Sequence, residues 1–210
     1  MGQEIVMVPA GLPALSRGSH RHPTLGSCLM EYVSVLAGEP FSDRPGCTHP
    51  VLAELARKVN DRIGDSVRAR LALLAPELIG TTGTHPGIAP TVLIRCADAG
   101  LAVDPEDGWL QRLRRRELVR LARQNETGPG WGWMRLGAGY RLLTGAPQGS
   151  VGLVFTRVTD ILDRLNIPDR DQRLCVLLEQ AVIDCRRLLG LPDPSWAPSG
   201  PAAVLRRAVS

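Results

Sequence analysis

The spacing of leucine, valine and isoleucine limits what this chain can fold into more than any other feature. Apolar side chains recur at i, i+3, i+4 and i+7, the period of a helix with one buried face. Leu29, Tyr32, Val33 and Leu36 form one such stripe, and Leu52, Leu55, Ala56, Val59 and Ile63 form the next. Val67, Leu71, Leu74 and Leu78 repeat the pattern, as do Leu110, Leu113, Glu117, Leu118 and Leu121, with one carboxylate inside the stripe. Val151, Val154, Val158, Ile161 and Leu165 mark a long helix, and Leu174, Leu178, Ala181, Cys185 and Leu188 mark another. No stretch of useful length alternates with the two-residue period of a strand, and no repeat period appears. The expected fold is all-α: a multi-helix, bundle-like domain with a C-terminal helical hairpin and an irregular N-terminal leader.

Breakers and caps divide this pattern. Residues 1–27 carry prolines and glycines without periodicity and read as the leader. A helix is expected over 28–37, with Ser27 as its N-cap and Gly38 as its stop. After a turn-rich loop, Pro50 suits the first position of a second helix, capped by His49 or Thr48. On its outer face lie Glu54, Lys58 and Asp61, with Glu54 and Lys58 spaced for an i,i+4 ion pair. Asp65 or Ser66 caps the third helix. A further helix spans 91–99, and Asp104-Pro105-Glu106-Asp107 reads as the start of one running to Gln124. The run NETGPGWGW, residues 125–133, is the strongest interruption. It is read as the boundary between a helical core module, 28–124, and a second helical subdomain, 125–190, the latter opening on a short helix over 134–143. Asn166 to Asp169 turns the chain between the last two helices, and 191–210 is a Pro-rich tail.

Composition narrows the class. With 210 residues, 44% hydrophobic and 22% charged, the chain can bury a core without a disulfide or metal. A net charge of +4 permits phosphate-bearing or acidic partners without requiring them. The five cysteines are odd in number and form no CxxC pair, so no disulfide framework is expected. There is no secretory signal pattern and no apolar run near the roughly 20 residues that span a bilayer. The expectation is a reduced, cytoplasmic protein with no membrane partner.

Three groups of residues carry possible chemistry. His20, His22, Cys28, Cys47 and His49 are the ligand types zinc prefers, although their spacing is not that of a finger or ribbon. Cys28 opens a helix, where the dipole favours a thiolate nucleophile; a histidine of the same stretch would act as base and Glu31 would orient it. Arg112, Arg116, Arg120 and Arg123 recur at helical spacing and match a run of phosphates, with Trp131 and Trp133 following as stacking groups. Each group also has a plain structural use: thiols as small apolar fillers, histidines as loop residues, arginines as a solvated face. The leading expectation is a non-catalytic cytoplasmic binding or regulatory protein, without a cofactor, acting through a protein or nucleic-acid partner. The alternative is a zinc-dependent or cysteine-based enzyme whose site is assembled from residues 20–49.

A resemblance adds to this. Gly26, Cys28, Met30-Glu31, Leu36-Ala37-Gly38-Glu39, Ser42-Asp43, Pro45, Cys47, Pro50, Asn60-Asp61 and Gly80-Thr81 resemble the pattern of a family of uncharacterised bacterial proteins, mainly actinobacterial. The likeness covers residues 18–80. It implies a shared helical module and brings no activity with it.

Overall fold

The computed structural model describes residues 12–126 and 148–197, and the described residues contain helices and no strand. One isolated parallel bridge pairs Leu15 of the leader with Ser27. That bridge decides how α1 (Leu29–Leu36) begins. Ser27 donates its backbone N–H to Ala14 O at 2.9 Å and is buried in the leader contact, so it is not the cap expected of it. Cys28 takes that place. Its Sγ accepts from Glu31 N at 3.4 Å, and the Glu31 carboxylate accepts from Cys28 N at 2.7 Å, a capping box with sulfur where a hydroxyl is usual.

α2 (Pro50–Arg62) starts as the sequence requires. Pro50 occupies the first turn and His49 Nδ1 accepts from Val51 N at 3.2 Å. The single helix expected after it is broken into α3 (Asp65–Arg68), a 3₁₀ stretch (Ala69–Leu74) and α4 (Ala75–Leu78). Pro76 accounts for the break, since it offers no N–H to Ala72 and its ring crowds that carbonyl. The cap of α3 is Gly64, whose own N–H is held by Asp171 Oδ2 at 2.7 Å.

α5 (Ile88–Leu101) lies at the centre, packing on α2, α6 (Gly108–Glu126), α7 (Gln148–Arg164) and α8 (Arg170–Leu188). It begins before the expected Thr91 because Pro90 fits the first turn, where a missing N–H costs nothing. α6 begins later than expected. Asp107, not Asp104, caps it, accepting from Trp109 N at 3.1 Å and Leu110 N at 2.9 Å. The second Asp107 oxygen meets Arg157 of α7 at 2.7 Å. α7 and α8 are joined by a short turn with Asn166 at φ 47°, and each arm packs more closely on α2 and α5 than on its mate.

These contacts make one core. Leu29, Leu52, Ile88, Leu110, Ile161 and Leu174 belong to a single apolar cluster that runs from α1 to α8. The two units expected on either side of residue 125 therefore share their interior: glycines and proline interrupt a helix without ending the surface it packs on. The start of the tail is also docked. Arg186 Nε donates to Pro192 O at 2.9 Å, Arg187 pairs with Asp193 at 2.7 Å, and Trp196 packs partly buried on the core. The short helix expected over 134–143 and residues 198–210 lie outside the described residues.

Candidate functional site

The described part of the leader is a strap across the C-terminal half of α2. Asn60 Nδ2 donates to Ser16 O at 2.9 Å, Asp61 Oδ1 accepts from Gly18 N at 2.9 Å, and Arg17 reaches Ile63 O at 3.4 Å. At its other end the strap is pinned by the buried Glu31 carboxylate, which accepts from His20 N at 2.6 Å and His20 Nδ1 at 2.9 Å as well as from Cys28 N. The loop before α2 is fixed in the same region, because Arg57 Nη1 donates to Asp43 O at 2.6 Å.

Strap, loop and helix line a half-open, mostly polar cleft of about 410 Å³. Gly18 and Ser19 supply one wall, Asp43 and Arg44 another, and Glu54, Arg57, Lys58 and Asp61 the outer face of α2, with Cys28 among the lining residues. Charges in the cleft are unevenly satisfied. Asp61 is occupied by Gly18 N and Asn60 Nδ2, and Asp43 shares Arg57 at 3.9 Å. Arg44 and Lys58 form no ion pair among the described residues. The expected Glu54–Lys58 pair is absent. Glu54 turns toward Gly152 of α7, where a Cβ would lie 3.2 Å from its Oε1, and its buried Oε2 meets no donor. Burial pushes the Glu54 carboxyl upward, with Arg57, Lys58 and the Gly152 N–H acting against it.

The five expected zinc ligands are engaged separately. His20 bridges Glu31 and Ser16, and His22 accepts from Thr24 N at 3.3 Å at the start of a 3₁₀ turn (Pro23–Leu25). Cys28 is in the capping box, Cys47 contacts Thr48 Oγ1 at 3.8 Å, and His49 spends Nδ1 on the α2 cap. Among the described residues no group of three or more His, Cys, Asp or Glu is arranged to hold a metal ion. Nor is Cys28 the dipole-activated thiolate expected at a helix start. Burial, with the Glu31 carboxylate beside it, pushes its thiol up to about 12, so it is protonated at neutral pH.

Ser16 was not singled out by the sequence. Its Oγ lies 2.9 Å from His20 Nε2, while Nδ1 of the same ring faces Glu31, the order hydroxyl, imidazole, carboxylate used to move a proton off a nucleophile. Only a turned-back leader creates this order, and no spacing rule announces it. Gly26, at φ 109°, packs its Cα against Ser16 Oγ, and neither Ser16 nor His20 lines the cleft. The relay is built into the anchorage of the strap, outside the lining of the cleft.

The arginine helix is partly neutralised from within. Glu117, fully buried on α6, accepts from Arg116 Nε at 2.8 Å and pairs with Arg120 at 3.1 Å, and Arg114 pairs with Asp98 at 2.5 Å. Arg112, Arg115 and Arg123 are exposed. Trp131 and Trp133 lie outside the described residues. No helix among the described residues is long and apolar enough to cross a membrane. No protein-family model, curated protein or solved structure matches the chain.

Proposed function

We propose that the chain is a non-catalytic binding or regulatory protein of the reducing cytoplasm whose ligand enters the cleft between the leader strap and α2. One observation carries this reading: segments from four places in the sequence converge on a concave, charged site in which Arg44 and Lys58 form no ion pair among the described residues. Other cations of the chain are paired internally, as at Arg95–Asp184, Arg114–Asp98 and Arg157–Asp107. Cations that line a cleft without an ion pair are available for recognition. The five free cysteines, four of them buried, support a reducing compartment. Screening small metabolites by thermal shift tests the reading. A ligand should raise the melting temperature of the native chain and lose most of that effect with Lys58→Gln. A screen whose hits all act equally on the native and Lys58→Gln proteins would overturn it.

A second reading keeps a nucleic-acid partner on α6. Arg112 and Arg115 favour it, being exposed and without an ion pair among the described residues. Retention on immobilised nucleic acid should then weaken steeply with salt, and Arg112→Gln with Arg115→Gln should flatten that slope. An unchanged slope rejects it.

A further inference from the structure

The proposed cleft has a definite charge preference. Its lining contains three carboxylates and three cations, which suggests neutrality until their partners are counted. Asp61 accepts on Oδ1 from Gly18 N and Asn60 Nδ2, neutral donors that hold the carboxylate in place without cancelling its charge. Asp43 shares its carboxylate with Arg57, and Arg57 in turn gives its shortest hydrogen bond to a backbone carbonyl, which does not cancel its charge. Glu54 is drawn toward α7, with Oε2 closed off from solvent. The cations are the opposite case. Lys58 is exposed on α2, its Cε near Gly152 as Glu54 Oε1 is, and Arg44 is exposed on the loop; neither forms an ion pair among the described residues. What the cleft presents to an incoming molecule is therefore two long cationic side chains, one from the loop and one from α2, against a single carboxylate, Asp61, that is neither shared with a cation nor closed off. The geometry points to a small anion, of the phosphate or carboxylate class, held between Lys58 and Arg44. A guanidinium and an ammonium suit such a ligand, the first through paired N–H groups and the second as a point charge.

This inference rests on the cleft being the binding site, and the experiment separates the two. Binding is measured by calorimetry on the full chain at constant ionic strength, with inorganic phosphate, citrate and the diamine putrescine as probes. The native protein should bind phosphate or citrate and not putrescine. The exposed side chains allow Arg44→Gln and Lys58→Gln to be made without disturbing the core, and each should weaken anion binding about tenfold. Binding of putrescine alone, lost in Asp61→Asn, would overturn the anion assignment and leave the cleft standing. Anion binding that is unchanged in the Arg44→Gln, Lys58→Gln double variant would overturn both, because it would report a general salt effect on the protein surface.

Discussion

Glu31 sets more of this molecule than any other single side chain. Its carboxylate closes the α1 capping box and holds two groups of His20, so one residue ties the helix start to the leader strap. Glu31→Ala leaves those donors buried without acceptors. We expect it to lower unfolding free energy by about 3 kcal/mol or more, measured by urea titration, with Glu31→Gln falling between it and the native chain. Equal stability of Glu31→Ala and the native chain would contradict the strap as described. The thiols make a second prediction. Cys28 and Cys96 are pushed up to about 12 and Cys175 to about 11, in each case first by burial. Unfolded thiols titrate near 9.0, so the folded state keeps its protons to higher pH. Stability from this source is complete below that value and is lost as pH rises toward 11 or 12. The urea midpoint should fall on the alkaline side, and fall less steeply in Cys96→Ala. Sequence alone could not foresee this. A cysteine at a helix start is ordinarily activated, and only the packing places Cys28 in a dry site beside a carboxylate.

Helices and their breaks were far more legible. The apolar stripes of α2, α6, α7 and α8 mark the faces those helices bury, except that Leu165 lies past the end of α7 and is exposed, and Glu117, written into the α6 stripe, is fully buried with Arg116 and Arg120 on it. The errors fell at ends, where a distant residue decides: Ala14 takes Ser27 from the α1 cap, and Asp171 takes the N–H of Gly64. Such partners are 13 and 107 residues away and leave no local trace. The outward face of α2 was misread for the same reason, since Gly152 of α7 packs against both Glu54 and Lys58, which form no ion pair. Close approach of α5 to α6 depends on Gly100, where an added Cβ would press on Leu110 and come within 3.3 Å of Val158. Gly100→Ala should cost about 1–3 kcal/mol through overpacking, despite the better helix propensity of alanine. A gain in stability, read from thermal or urea unfolding, would show that this contact is looser than described.

At the scale of the molecule, one interior joins everything from α1 to α8. The chain should unfold in a single transition, with circular dichroism and tryptophan fluorescence giving coincident midpoints. A fragment ending at residue 126 would lack α7 and α8 and expose the faces of α2 and α5 that they cover. We expect it to lose cooperative unfolding, and a sharp transition in that fragment would restore two independent units. The class of the fold was readable because helical periodicity is written in each segment. The cleft was not, because it is made by the strap crossing α2, a contact between residues more than 40 apart.

The most direct test is an amide chemical-shift titration of the full chain with inorganic phosphate. The perturbed amides should gather at Gly18, Ser19, Arg44, Arg57 and Lys58, with α6 and α8 quiet. Shifts centred on α6, or spread evenly over the surface, would contradict binding in the cleft.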